Sequence, residues 1–289
     1  MNPQDEIPTP KNEQNPSQRQ VEWTFDFGNV SDSMKRMWSE NVGSDELHVS
    51  EFSAPKGSAI RAEVDMSFSV GRSILHALAA SDLLLSAHIK HVGEVDFDVT
   101  GETVKHVSLR QRGAASWTAG MQAIGHSDEL VWNVGLSPDV PLNISVQGGV
   151  GPVDMDMSAL QITGMHVRCG VGLITMTLPP VDASYTTKLE GGVGQFKLQA
   201  LAGTSGKLEI NAGIGNIEIV IPHNTAVRLN AKTGLGSIDV PDHYQQMKGG
   251  DFFGEREWKT EGYELADHRL MIEYKGGIGQ LKIKTPEAV

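Results

Sequence analysis

A glycine-aliphatic-glycine triplet recurs six times in the second half of the chain, and this repeat constrains the fold more than any other feature. The triplets are Gly149-Val150-Gly151, Gly170-Val171-Gly172, Gly192-Val193-Gly194, Gly213-Ile214-Gly215, Gly234-Leu235-Gly236 and Gly277-Ile278-Gly279. The first five are 21 or 22 residues apart, and the sixth follows after 43, about two periods with one coil remodelled. A fixed period in the twenties is typical of stacked supersecondary units.

Apolar and polar residues alternate on both sides of each triplet. In the fourth copy, Ile217 and Ile219 enclose Glu218, and Leu208 and Ile210 precede the triplet with the same spacing. A period of two predicts a strand with one buried face and one face in water. Each repeat is therefore predicted to be a strand, a glycine corner, a second strand and a return loop.

The corners share two further properties. The middle residue of each triplet is aliphatic, which predicts a side chain turned inward to plug the bend, while the flanking glycines allow positive φ or close backbone approach. The residue just before each triplet is small: Gly148, Cys169, Gly191, Ala212, Thr233 and Gly276. The corners are thus predicted to be places where neighbouring coils come very close.

These patterns predict an all-β fold, a single-stranded parallel β-solenoid with coils of about 21 residues. Neighbouring coils are expected to lie about 4.8 Å apart, with right-handed crossovers. The solenoid is expected to span residues 46–289. Residues 1–20 are rich in polar residues and proline and are expected to form a disordered tail. Residues 21–45 are expected to form a short strand and a capping helix.

Strand patterns also precede the regular repeats. They cover residues 48–52, 59–70, 94–100 and 104–110. Residues 74–89 are ambiguous, since their alanine and leucine content also suits a helix. Their position in a solenoid favours two strands joined by a turn.

An apolar cluster in the N-terminal region is one candidate interaction site. Met34, Met37 and Trp38 would share one face of a short helix. Such a helix could cap the open end of the solenoid, which stacked repeats need. It could instead present a docking surface to another protein.

An insert at residues 242–267 interrupts the period and carries the second candidate site. Phe252, Phe253 and Trp258 stand there among several glycines. The insert could be a lid over the C-terminal coil or an exposed recognition patch. In the second case it would contact a protein partner or a second copy of the chain.

Charge and composition exclude several classes of partner. The net charge of -12 argues against binding to nucleic acid and to anionic lipid. No apolar run is long enough to span a membrane, and no signal peptide is apparent at the N-terminus. A single cysteine suits a reducing compartment. We therefore expect a cytoplasmic location, either free or peripheral to the membrane through a partner.

The sequence contains only partial matches to cofactor-binding and metal-binding motifs. Gly149-Val150-Gly151 is followed by Pro152-Val153, which fits neither a calcium-binding nonapeptide nor a dinucleotide loop. His88 and His91 would face opposite sides of a strand. Cys169 occupies the column of small residues, which favours packing over nucleophilic chemistry. We expect no cofactor and no metal.

One enzymatic alternative depends on two carboxylates. Glu218 and Asp239 occupy equivalent positions in successive repeats, and stacked coils would place them about 5 Å apart, as in a retaining glycosidase that acts on polysaccharides. Lys197 would stand on the coil before Glu218. The whole column also has the composition of an exposed charged ladder, so we favour a protein that is not an enzyme.

The chain resembles the toastrack, or LiaF-like, family of bacterial cell-envelope proteins, which is also grouped with adhesins. The resemblance covers roughly Leu47 to Lys284. It depends on Asp82-Leu83-Leu84, Val107-Ser108-Leu109-Arg110-Gln111, Trp132, Pro141-Leu142-Asn143-Ile144, the serial corners and the ending Gly276-Gly277-Ile278-Gly279. It implies a β-solenoid that is a non-catalytic scaffold or interaction module, linked to envelope stress responses or adhesin-like binding.

Overall fold

The computed structural model describes residues 47–112, 129–180, 184–249 and 254–286. They all belong to one compact unit, Asn41–Val289. The elements are β1 (His48–Pro55), β2 (Arg61–Val70), β3 (Arg72–Ala77), β4 (Leu83–His91), β5 (Glu94–Thr100), β6 (Val104–Arg112), β7 (Val131–Leu136), β8 (Leu142–Val150), β9 (Val153–Asp156), β10 (Ile162–Leu178), β11 (Tyr185–Ala200), β12 (Gly206–Val220), β13 (Ala226–Asp239), β14 (Tyr244–Lys248), β15 (Arg256–Thr260), the 3-10 helix η1 (Tyr263–Leu265) and β16 (Arg269–Lys284).

Several predictions fall outside the described residues. These are the polar tail at 1–20, the strand and capping helix at 21–45 with Met34, Met37 and Trp38, and Phe252 and Phe253 of the insert.

Each regular repeat is one long strand that passes through a glycine corner. In β12, Leu208 and Ile210 are buried before the corner, and Ile217 and Ile219 are buried after it. The buried residues therefore change from even to odd numbers across the triplet. Gly215 takes up this extra residue with a φ of +151°. The predicted strand, corner, strand unit is confirmed.

The corners divide the sheet into two arms. We call the part of each coil before its triplet the first arm and the part after it the second arm. In the first arm the strand order is β5-β6-β2-β8-β10-β11-β12-β16-β13-β15-β14, and in the second it is β1-β4-β7-β3-β9-β10-β11-β12-β16-β13. The buried faces of both arms contribute to one hydrophobic core.

Parallel pairing in register joins the repeats, as the solenoid prediction requires. Gly172 pairs with Gly194, and Gly194 pairs with Gly215. The all-β repeat fold is confirmed. Residues 74–89 form β3 and β4 with a turn between them, so the preference for strands over a helix is also confirmed.

The described stack contains a corner that the triplets do not indicate. Strands β2 and β3 meet at Gly71, whose φ is +121°, and Val70 pairs with Val150 in the next coil. Ser69 replaces the first glycine of the triplet, which is why the pattern does not reveal this corner.

The order of the last coils differs from their order in the sequence. Strand β16 lies between β12 and β13, parallel to both. The other edge of β13 pairs antiparallel with β15 at Arg228–Ala231, and β15 pairs with β14. The insert at 242–267 thus adds a hairpin and a 3-10 turn to the C-terminal end of the first arm.

Candidate interaction surface at the glycine corners

The middle residues of the six triplets are exposed, so the prediction that they plug the bends from inside is wrong. Their exposed fractions lie between 37% and 56%. Parallel pairing lines them up across neighbouring strands into a corner ladder, in the order Val150, Val171, Val193, Ile214, Ile278 and Leu235. At a strand spacing of about 4.8 Å this ladder is roughly 24 Å long.

Aromatic rings occupy the inner side of several corners, which explains why the aliphatic residues face outward. A Cβ on Gly191 would lie within 3.0 Å of the ring of Phe196, and one on Gly276 would meet the ring of Tyr274. Both rings are buried. The small residues before the triplets therefore make room for large core side chains, and the core needs no further plug.

The flanking glycines are required by the close approach of neighbouring coils. All twelve are placed so that an added Cβ would lie within 3.0 Å of a backbone carbonyl oxygen in an adjacent coil. Such a contact cannot be relieved by rotating a side chain, because the obstructing atom is backbone. The corner ladder therefore stands between two rows of glycines, which expose backbone and no side chains.

The corner ladder and the residues that flank it also carry no charge. The residues that follow the six triplets are Pro152, Leu173, Gln195, Asn216, Ser237 and Gln280. Each corner thus contributes four uncharged residues, in a chain with a net charge of -12. We call these six four-residue segments the corner stripe.

Among the described residues, one end of the stripe is covered and the other is open. Val70, which pairs with Val150, is buried in a small cluster with Val92 and Leu130. Leu47 packs against the same cluster. At the opposite end the stripe finishes at Leu235 on β13.

The two carboxylates of the enzymatic alternative do not meet. Lys282 on β16 lies between Glu218 and Asp239 and pairs in register with both. Glu218 forms an ion pair with Lys284 at 2.8 Å, and Asp239 accepts a hydrogen bond from Gln280 at 2.5 Å. Their predicted adjacency is wrong because β16 enters the stack between the two coils.

The remaining chemical candidates occupy structural positions. Cys169 is 7% exposed, and burial raises the pKa of its thiol to about 11, so the reactive thiolate is scarce near neutral pH. His91 is buried and lies 2.9 Å from Ser50 Oγ, whereas His88 is exposed beside Glu51. Across the described ranges, no group of three or more His, Cys, Asp or Glu residues could hold a metal ion.

Ion pairs cover the outer face of the first arm. Glu190 lies 2.5 Å from Lys188 and 2.7 Å from Arg168. Hydrogen bonds from Lys188 and Arg168 lower the pKa of Glu190 to about 2. Such pairs across neighbouring strands support the sheet.

Trp258 does not belong to an exposed patch. It lies on β15 opposite Leu229 of β13, and its residue is only 6% exposed. The prediction that it contributes to an interaction surface is therefore wrong for this residue, and its burial agrees with the alternative that the insert is a lid.

The described residues contain no helix of the length and apolarity needed to cross a membrane.

Comparison with known proteins places the chain by fold and by sequence. Residues 41–199 match the sequence profile of the N-terminal domain of toast_rack, DUF2154. Residues 187–283 match that of the cell wall-active antibiotics response protein LiaF, C-terminal. No curated protein matches the chain significantly.

Two solved structures resemble it. A “putative cell adhesion protein” from Clostridium sporogenes ATCC 15579 has a TM-score of 0.58 and 16% identity, covering 83% of this chain and all 100% of its own. A “putative adhesin” from Bacteroides fragilis NCTC 9343 has a TM-score of 0.42 and 13% identity, covering 83% and 98%. The first of these shows a shared fold. Since the toast_rack profile matches more than half of its residues, this chain belongs to the toast-rack family.

Proposed function

We propose that this protein is a non-catalytic interaction module of the bacterial cell envelope or its stress response, and that the corner stripe binds a partner protein. The observation that carries this proposal is the exposure of six aliphatic side chains in one line. Contiguous exposed apolar surface on a folded monomer frequently marks a binding site. The family membership supports the envelope setting.

The chemistry of the stripe favours an apolar, uncharged protein surface as the partner. A nucleic acid or an anionic surface would need basic residues, and the stripe has none. Sugar recognition commonly uses aromatic faces, and the corner stripe has none. Aliphatic side chains at a regular spacing are suited to interdigitate with apolar side chains of another protein.

The close packing of the stacked coils supports a role as a rigid scaffold. Each coil contacts its neighbours through backbone-to-backbone packing at the glycines, which leaves little freedom for one coil to move against the next. A preformed surface avoids the entropic cost of ordering on binding. The similarity to a “putative cell adhesion protein” is in keeping with a binding role. A cytoplasmic location stays a prediction.

Site-specific photo-crosslinking in cells of the native host would test the proposal. A photoreactive amino acid at Val193 on the ladder is compared with one at Lys197, which is exposed on the same strand. We expect a discrete crosslinked protein from position 193 and none from position 197. The same band should weaken when Val171 and Ile214 are both replaced by threonine, which keeps the β-branched shape.

Two outcomes would contradict the proposal. One is crosslinking of equal strength from both positions, which would show mere proximity. The other is a band from position 193 that the threonine substitutions leave unchanged. Circular dichroism of the double variant serves as the folding control.

A further inference from the structure

The described strands leave four edges on the open sheet, and three of these edges carry features that oppose pairing with another strand. Strand β5 places Glu94, Asp96 and Asp98 along its edge. Strand β1 has a register shift at Pro55. Strand β14 has only five residues and a register shift before Lys248. Charges, proline and irregular register are the usual protections of an edge strand.

The fourth edge belongs to β13 and lacks these protections. Strand β15 covers β13 only at Arg228–Ala231, so among the described strands nothing pairs with the outer edge from Lys232 to Asp239. The six residues between these two are uncharged, and Leu235 is the most exposed member of the ladder. Ile238 is only half-buried, because none of the described coils covers it.

We propose that this free edge of β13 pairs with the same edge of a second copy of the chain, antiparallel, to form a symmetric dimer. The proposal goes beyond the proposed function, because it uses the terminal edge and leaves the corner stripe open except at its last segment, residues 234–237. Pairing centred between Leu235 and Gly236 would join residues 232 to 239 of both copies.

Charge complementarity favours a second copy as the occupant. In this register Lys232 of each copy lies opposite Asp239 of the other, so two pairs of opposite charge enclose an uncharged centre. Lys232 now lies beside Lys275 on β16 and has no acidic partner among the described residues. Like charges directly opposite on neighbouring strands are unfavourable, and a carboxylate on the free side would offset this repulsion.

The distribution of side chains between the two faces supports the same register. Thr233 points to the core and is buried, and the register places it opposite Ile238 of the second copy, which also packs against the core. Lys232 and Asp239 both lie on the outer face. This register pairs each odd-numbered residue with an even-numbered one. The inward-facing residues match because Thr233, before the corner, has an odd number and Ile238, after it, has an even number. A shift by one residue would place apolar side chains opposite polar ones.

The ends of the pairing are set by neighbouring features. Strand β15 reaches the edge at Ala231, and Pro241 follows shortly after Asp239, where β13 ends. A two-fold pairing uses the edge completely, so assembly should stop at a dimer instead of continuing to a filament. Because the interface is small, we expect a dissociation constant in the micromolar range, on the order of 1–100 μM.

A charge-reversal experiment with the full-length protein tests this inference. Sedimentation velocity over 1–200 μM, a range chosen around the expected constant of roughly micromolar order, should show the parent dimerising. Lys232→Glu alone creates two acid–acid contacts and Asp239→Lys alone creates two lysine–lysine contacts, so each variant should be monomeric. Mixing the two variants restores opposite charges at both contacts and should yield a heterodimer. Lys248→Glu on β14 is the matched control and should dimerise like the parent.

The outcomes are decisive in both directions. A parent that stays monomeric throughout, or single variants that dimerise like the parent, would overturn the proposal. Failure of the mixture to associate would exclude the register even if both variants are monomeric and folded. The result is separable from the proposed function, because crosslinking from Val193 should persist in the Lys232→Glu variant.

Discussion

Gly215 lies directly against Gly194 of the preceding strand, so closely that a Cβ on Gly215 would come within 3.0 Å of the Gly194 carbonyl oxygen. The φ of Gly215, +151°, is one that residues with a side chain rarely adopt. The two requirements are independent, since one arises from the neighbouring coil and the other from the local bend. They recur through the stack and explain why the triplet is repeated so faithfully.

Replacing Gly215 by alanine should therefore destabilise the protein by about 3 kcal/mol or more, because the added methyl group meets backbone and the φ becomes strained. Gly249→Ala is the control, since an added Cβ there would meet only the end of the Gln246 side chain at 3.6 Å. Urea unfolding measures both. Equal midpoints for the two variants would show that the corner tolerates a side chain.

Ile219 and Glu218 test the register of the second arm. Ile219 is fully buried and Glu218 is half-exposed in an ion pair with Lys284. Ile219→Ala should lower the free energy of unfolding by about 2–5 kcal/mol, and Glu218→Ala by less than about 1 kcal/mol. Chemical denaturation gives both values. A larger loss for Glu218→Ala would contradict the assignment of faces.

The ion pairs of Glu190 should make stability depend on pH in acid. Because its pKa is lowered to about 2 in the folded state, below the ordinary value of 4.5, the contribution is fully present above 4.5 and is lost as the pH falls through 2. Glu190→Gln should lower the Tm at pH 6, and the difference from the parent should shrink towards pH 2. Glu102→Gln, at an exposed turn, is the control. A Tm difference that is constant with pH would contradict this assignment.

Trp258 should behave as a core residue. Trp258→Ala should cost about 3–5 kcal/mol, because it removes a large buried ring from beneath the end of the sheet. Met247→Ala on the adjacent strand β14 should have little effect, since Met247 is 53% exposed. Thermal unfolding followed by circular dichroism compares them. A Trp258 variant as stable as the parent would restore the possibility of an exposed recognition patch.

Much of the fold could be predicted from short-range patterns. Alternation around Glu218 identified which residues are buried, and the glycine triplets identified six corners. The corner at Gly71 was missed because Ser69 replaces a glycine there. The outward direction of Val193 and its counterparts could not be predicted, because it depends on rings such as Phe196 that fill the inner side of the bend.

The separation of the carboxylates Glu218 and Asp239 could not be predicted from the sequence pattern. Equivalent positions in successive repeats suggested neighbours, yet Lys282 separates them. A strand pattern specifies which face is buried, but it does not specify which strand takes each edge. The edges of similar coils present matching backbone groups and side-chain faces. Several orders of strand pairing would therefore suit the same strand patterns almost equally well.

The sequence by itself determined the strands, the corners, the buried columns and the membership of a stacked β fold, because alternation and glycine act within a few residues. Only the tertiary structure decided that β16 enters between β12 and β13, that the insert carrying Trp258 covers one edge of β13, and that the edge from Lys232 to Asp239 stays free. The free edge is a property of the described strands. All these features depend on competition between distant strands for the same backbone hydrogen bonds, and that competition is settled only when the whole stack has formed.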